Sequence, residues 1–470
     1  MAEGLGMRRT NRLIVFGGAV AIGVTGWLGA ALVAQGGAAG QGRGVAPAQA
    51  SADDPVRILV AKLQLANYKA TVKGLTNFGD RREGTKRNQD AVDWIEAQLK
   101  SYGYTNTARV KYDFPAATRG CGPSVPAPAA PAAGADAAGR AGGNAGRAGG
   151  GAAAGQGRGG GTADPGAGRP TPTGGDVGRG RAGSGGSTSF GYTARTGVNC
   201  DPMLQPDAAI RELDSQPVVA QWAESVYCTK IGTTHPEEMY IVGGHMDGHG
   251  YNQAANDDGS GTAVVMEMAR AFASPDVVTE RSIRFVLWNG EEGGLRGARA
   301  YVAQRQALQG KEEPAGSGKY PEPKWLGMIQ HDMMMWDHGM PRPDGTVSPD
   351  QRPEADVNIE FQSDSKMVDA SMKFAFFIKN ANEKYATDYP AQVGPHMTNT
   401  DSDPFKDLVQ TVSLRENERG AQIGSGWDPN WHQPTDVFAT YNDKDFRLGL
   451  NAAQTTLAAI AQLSGASIQK

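Results

Sequence analysis

The chain has 470 residues, enough for one large domain or two ordinary ones. Its formal charge of -4 offers no basic surplus, which argues against a nucleic-acid partner. Hydrophobic residues make up only 39% and glycine reaches 65 residues, so a uniformly packed core along the whole length is excluded and part of the chain is expected not to fold.

In chain order, residues 1–50 come first. "MRRTNR" is basic, and Leu13 to Val33 is apolar without a charge. This reads as a signal peptide or an N-terminal membrane anchor. "AQA" at Ala48–Ala50 is an acceptable cleavage box, although it lies far from the apolar run. Either reading puts the body of the protein outside the cytoplasm: periplasmic, secreted, or anchored to the membrane. Asp80 to Gly103 then carries Ala91, Val92, Ile95, Leu99 and Tyr102 at helical spacing. "NTARVKYDF" alternates like a strand. From Gly122 to Ser187 the chain is Gly, Ala, Pro and Arg with almost no large apolar residue, and it reads as a disordered insertion inside a domain running from 56 to 465. Cys121 and Cys200 flank that insertion, where a disulfide would clamp its base, and Cys228 in "ESVYCTKIG" reads as a buried thiol.

Beyond the insertion, strand-like and helix-like stretches alternate. "ESVYCTKIG", "MYIVGGHMD", "RSIRFVLWNGEE", "WLGMIQHD" and "LVQTVSLRE" are strands. "SGTAVVMEMARAFA", "GGLRGARAYVAQRQAL", "SKMVDASMKFAFFIKNANEKY" and "DFRLGLNAAQTTLAAIAQL" are helices. This alternation predicts an α/β layer structure, with a mixed, largely parallel central sheet between helices in a three-layer α/β/α sandwich.

Four of the strands end in acid, histidine or both: "GGHMD", "WNGEE", "MIQHD" and "SLRE". In open α/β sheets ligands gather beyond the carboxyl ends of strands. His245 is a natural nitrogen ligand for a divalent cation, and Asp247, two residues on, is placed to orient its imidazole. Asp257 and Asp258 sit in a Gly-rich loop before a helix; N-capping accounts for one of them, and a carboxylate with two oxygens can bridge two cations. Glu291 and Glu292 are adjacent and can hold different tasks, one on metal and one on protons. Asp332 ends its strand, and His432 lies in the polar loop "NWHQPTD". Taken singly, each has a bland explanation as a cap, a solvated turn or an exposed histidine; the set together reads as a site for two metal ions. His249 lies in a glycine loop and reads as a non-ligand, while His331 should face the other side of its strand.

The series "GGHMD", "NDDGSGTA", "FVLWNGEEGGLRGARAYV", "QHDM" and "WHQPTD" resembles the signature segments of metallopeptidase family 28, the clan of zinc aminopeptidases that includes glutamate carboxypeptidases and glutaminyl cyclases. The resemblance implies a zinc-exopeptidase fold, of phosphorylase/hydrolase-like type, and two co-catalytic Zn2+ ions. By resemblance His245 and Asp332 hold one zinc, Glu292 and His432 the other, and Asp257 bridges them. Glu291 matches the general base and Asp247 the acid behind the histidine. The implied reaction is hydrolysis of a terminal residue from a peptide by a water between the metals, with an aminopeptidase as first reading. A carboxypeptidase-type member, or a non-catalytic binding module on the same fold, are the alternatives. The resemblance also implies a cis peptide after Asp257. "TDSDPF" matches a Ser-Asp-His-x-x-Phe segment, with Ser402 where the histidine is often found.

Overall fold

The computed structural model describes residues 51, 53–115, 187–189, 192–194, 198–338, 357–395, 399–416 and 428–469. The apolar run Leu13–Val33, Cys121 and the insertion up to residue 186 lie outside the described residues. Among those described, no helix is long and apolar enough to cross a membrane.

Eight strands form one sheet: β1 (Ala108–Asp113), β2 (Trp222–Lys230), β3 (His235–His245), β4 (Arg281–Trp288), β5 (Lys324–His331), β6 (Val357–Phe361), β7 (Ala391–Pro395) and β8 (Thr411–Arg415). Their spatial order is β1-β2-β4-β3-β5-β8-β6-β7. The centre, β4-β3-β5-β8, is parallel throughout. The edges break the pattern, since β1–β2, β2–β4 and β8–β6 pair antiparallel. The sheet is therefore mixed and largely parallel, as expected.

Among the described residues eight α-helices accompany it: α1 (Pro55–Val60), α2 (Leu65–Thr76), α3 (Lys86–Ser101), α4 (Ala208–Asp214), α5 (Gly259–Phe272), α6 (Arg296–Arg305), α7 (Val368–Tyr385) and α8 (Asp443–Leu463). Side chains alternate across the sheet with the period of two that strands impose. Val226, Cys228, Val242, Phe285, Leu287 and Ile329 join the larger core, shared with α1, α2, α3, α5, α7 and α8. Tyr227, Ile241, Val286, Trp288 and Met328 point the other way, into a smaller core with Ala298 and Tyr301 of α6. Helix α5 is buried on nearly every side, as its small and apolar composition requires. Its one buried acid, Glu267, accepts from the Gln64 backbone N–H and from Arg270.

Helix α3 begins at Lys86, ahead of the first patterned residue Ala91 but six residues into the stretch that opens at Asp80. Arg81 and Gly84 have φ of 50° and 75°, which no helix accepts, and the Thr85 hydroxyl caps the start by accepting the Asn88 N–H at 3.2 Å. Cys200 is disulfide-bonded and Cys228 is a buried free thiol. Helices α1, α2 and α4 and strands β6 and β7 have no counterpart among the elements predicted from hydrophobic patterning; β6 is a five-residue run, "VNIEF", too short to carry a period.

A buried ion cluster ties α3 to α4. Arg87 donates through Nη2 to Asp80 Oδ1 at 2.6 Å, and Asp214 Oδ1 accepts the Asp80 backbone N–H at 3.0 Å. Burial, and then the charge of Asp80, push the Asp214 pKa up to about 9 against the pull of Arg87. The folded chain thus keeps a proton that the unfolded chain releases near 3.8. That contribution to stability is complete below the unfolded value and is lost as pH rises toward about 9. Asp214→Asn, which fixes the neutral form, should flatten this decline: thermal melts between pH 5 and 9 should show the wild type losing ground to the variant as pH rises. Parallel curves would show that Asp214 holds no such proton.

Candidate active site

Because β3, β4, β5 and β8 are parallel neighbours, their carboxyl ends share one edge of the sheet. His245 ends β3, Glu291 and Glu292 follow β4, Asp332 follows β5, and Arg415 with Glu416 ends β8. His432 arrives from the loop before α8 with φ of 56°.

The local chain is built for close approach. A Cβ on Gly244 would sit 2.7 Å from the backbone of Gly261, so only glycine lets the end of β3 touch the start of α5. Asp258 occupies that junction. Its Oδ1 caps α5 by accepting the Gly261 N–H at 2.8 Å and also accepts the Met333 N–H at 3.0 Å, while Oδ2 accepts the His245 N–H at 3.0 Å. One carboxylate thereby joins β3, α5 and the end of β5. The Asp257–Asp258 peptide is cis. Arg81, fully buried, donates to the carbonyls of Met246, Gln253 and Ala254 and holds the loop between β3 and α5.

Two groups of side chains converge, His245 with Asp257 and Asp332, and His249 with Glu292 and His432; within each group the candidate ligand atoms lie within 4.8 Å of one another. Asp257 stands between them, with Oδ1 3.3 Å from His245 Nε2 and Oδ2 3.0 Å from His432 Nε2. Glu292 Oε1 lies 3.0 Å from His432 Nε2. Imidazole and carboxylate in this number suit a divalent cation of zinc-like softness, and one carboxylate facing both groups suits a pair.

The electrostatics agree with that donor set. Burial disfavours a charged imidazole, yet Asp258, Asp257 and Asp332 push the His245 pKa well above the usual histidine value. His432 is likewise raised, to about 10, by Glu292 and Asp257 against burial. Burial opposes ionisation of Asp257 and Glu292 as well, but the neighbouring histidines hold Asp257 well below the ordinary range and Glu292 at about 2. The cluster demands positive charge.

Glu291 is buried and makes no ion pair with either histidine. Burial, followed by Glu292, Asp332 and Asp401 working against His245, pushes its pKa well up. The Asp247 carboxylate does not grip the His245 ring as its spacing suggested. His245 Nδ1 lies 3.0 Å from the Asp247 main-chain oxygen, and the carboxylate is 3.8 Å away. That carboxylate instead accepts the backbone N–H groups of Glu291 at 3.1 Å and Glu292 at 3.3 Å, fixing the turn that presents both glutamates.

Other residues sort themselves. His331 faces the helices, with Nε2 2.8 Å from Thr456 Oγ1, and burial lowers its pKa to about 4. The Ser402 hydroxyl lies 2.8 Å from that of Ser413. Arg415 forms a buried ion pair with Asp332 Oδ2. Asp401 is fully buried, its Oδ1 has no hydrogen-bond partner, and Asp247 and Asp332 are charge neighbours. His249, read from sequence as outside the site, stands within it.

The fold and the site define a class: an α/β protein with clustered histidines and carboxylates that could hold metal at the carboxyl edge of its parallel strands. Residues 226–455 match the model described as peptidase family M28, and the resemblance read from the motifs is thereby borne out. Among curated proteins, aminopeptidase YwaD of Bacillus subtilis is 43% identical over 68 residues, 14% of each chain. Carboxypeptidase Q of Xenopus laevis is 38% identical over 71 residues, 15% of each. These alignments span about one-seventh of the curated relatives' length. LapA of Legionella pneumophila superposes with a TM-score of 0.50 at 13% identity, covering 88% of this chain and 77% of that one, a likeness of fold.

Replacing Asp258 by alanine would strand three buried N–H groups. At about 1–3 kcal/mol for each such group, a loss of roughly 3 kcal/mol or more is expected in urea unfolding. A loss under about 1 kcal/mol would show that Asp258 is not the joint described.

Proposed function

We propose that this chain is a zinc-dependent exopeptidase that removes a residue from the amino end of a peptide. One observation carries the reading: Asp257 turns one oxygen to each of two His/carboxylate groups, beside a buried Glu291 that pairs with neither histidine. His245 and Asp332 would hold one zinc, Glu292 and His432 the other, and Asp257 both. Zinc held there would supply Lewis acidity to the scissile carbonyl and to an attacking water.

The protein's own groups do the rest. Glu291 takes the proton of the attacking water and passes it to the leaving amine, a task suited to a carboxylate with a raised pKa. Asp247, through the N–H groups of Glu291 and Glu292, keeps the two glutamates in register. Buried surroundings exclude bulk water and strengthen each of these interactions.

The choice of the amino end rests on charge. Asp401, fully buried with Oδ1 unbonded, is a charge neighbour of Asp247 and Asp332, and the nearby Arg415 is already paired with Asp332. A carboxyl oxygen left unbonded there suits a substrate ammonium better than a substrate carboxylate. The printed names of the relatives include both polarities, so the carboxypeptidase-type reading is the competitor. A non-catalytic module is disfavoured because Glu291 and every ligand position are present. We place the domain outside the cytoplasm, secreted or anchored through Leu13–Val33, and the disulfide at Cys200 supports an oxidising compartment.

Glu291→Gln should cut turnover by at least about a hundredfold while elemental analysis finds bound zinc unchanged, as expected for loss of a general base. Retained turnover would remove Glu291 from the mechanism. In a panel of short peptides, acetylating the amino end should stop cleavage and amidating the carboxyl end should not; the reverse pattern would establish the carboxypeptidase reading.

A further inference from the structure

The loop between β3 and α5 brings a histidine to the candidate site that the motif series does not assign. His249 Nε2 lies 2.9 Å from Glu292 Oε2. Apart from that carboxylate, this buried nitrogen has no hydrogen-bond partner. The His249 ring stands edge-on to that of His432, with centroids 4.3 Å apart and planes at 83°. One nitrogen from each ring and one oxygen of Glu292 therefore enclose a single small volume.

The surrounding chain holds His249 there. Asn252 Nδ2 donates to the His249 carbonyl at 3.1 Å and to the Gln433 carbonyl at 3.0 Å, tying the His249 loop to the His432 loop. Asn199 strengthens the tie: its backbone N–H donates to the His432 carbonyl at 3.0 Å, and its Nδ2 to the Gly250 carbonyl at 3.2 Å. Gln205 Nε2 spans the same seam, from the Tyr251 carbonyl at 2.7 Å to the Pro434 carbonyl at 2.9 Å. These amide side chains and the Asn199 backbone fix the approach of the two histidines, so the position of His249 does not depend on its own ring.

We propose that His249 is an additional protein ligand for the cation held by Glu292 and His432. This rests on the reading that the cluster binds divalent cations. With Asp257 shared, that position then has four protein donors, Asp257, His249, Glu292 and His432, whereas the other has three, His245, Asp257 and Asp332. Four protein donors make a closed site and three leave a place for water or substrate. The pair is thus unequal: the Glu292 side binds its cation more tightly, and the His245 side is the open one.

The test uses the full chain, stripped of metal and titrated with zinc under competition from a chelator. Wild type should bind two ions with distinct affinities. His249→Ala should weaken one of them by more than about a hundredfold, since loss of a direct ligand should exceed the roughly 10–100-fold cost of losing an outer partner. Cobalt(II) titration should show a changed visible absorption for that site. Unchanged affinities and spectrum would overturn the proposal. A gain in affinity would also overturn it, because it would mark His249 as a histidinium that competes with the cation for Glu292. Should His249→Ala fail to fold, the wild type still decides the matter. With 15N-labelled histidine, the ring nitrogens of His245, His432 and His249 should all shift on zinc addition, and a shift confined to the first two would refute the assignment. If wild type binds no divalent cation, the proposed function falls with it; if it binds two and His249 is inert, only this assignment falls.

Discussion

Concentrated negative charge in a low-dielectric setting is the constraint on which the rest of this structure depends. Asp247, Asp257, Asp258, Asp332 and Glu291 come together almost without contact with solvent. Burying ionised carboxylates is costly unless each finds a hydrogen bond or a positive partner. The chain meets this in two ways. Asp247 and Asp258 are given backbone N–H groups. Asp257 and Glu292 are given imidazoles, whose proton affinity rises in response. An imidazole that holds a proton so firmly stands where a cation belongs, and a divalent ion satisfies the same carboxylates with more charge.

The scaffold is matched to that load. Parallel strands deliver their last residues to one edge, so acids separated widely in sequence meet without long loops. The loops that do contribute are pinned by buried polar side chains rather than by apolar packing: Arg81 by its carbonyl partners, Asn252, Asn199 and Gln205 between the β3–α5 loop and the His432 loop. Fully bonded polar networks of this kind specify one arrangement, because any shift would leave a buried group unpaired. Rigid placement is what a reaction needing atoms held within a few tenths of an ångström demands.

Much of this is legible in the sequence, for a definite reason. Strand ends are marked by the change from an apolar run to polar residues, so residue order alone places "GGHMD", "WNGEE" and "MIQHD" at strand ends. Helix α8 is legible from its amphipathic period, and the Asn442–Asp445 capping box explains its start. Other features carry no such signal. His249 sits among glycines, where no periodicity says which way a side chain faces. The hub role of Asp258 depends on Met333, far along the chain, and no local pattern encodes that contact. Asp247 illustrates a subtler limit: its spacing from His245 is visible, yet main chain rather than side chain meets the ring. Residue type and spacing indicate that two residues are neighbours; they do not say which atoms touch.

The neighbours of the two groups make them chemically unlike even though each contains histidine and carboxylate. Asp332 is shared with Arg415, a guanidinium that stays charged at any ordinary pH and draws continuously on the same oxygens. Glu292 is shared with His432 and His249, whose ring nitrogens can serve as donors to a cation. A fixed positive neighbour weakens whatever cation joins it; a neutral imidazole strengthens it. The half beside Arg415 is therefore the electron-poor one, better suited to polarise an incoming oxygen than to anchor an ion. The half beside His249 has the opposite balance. A division of labour between the halves follows from which side chains stand behind the carboxylates, and it requires no difference in the carboxylates themselves.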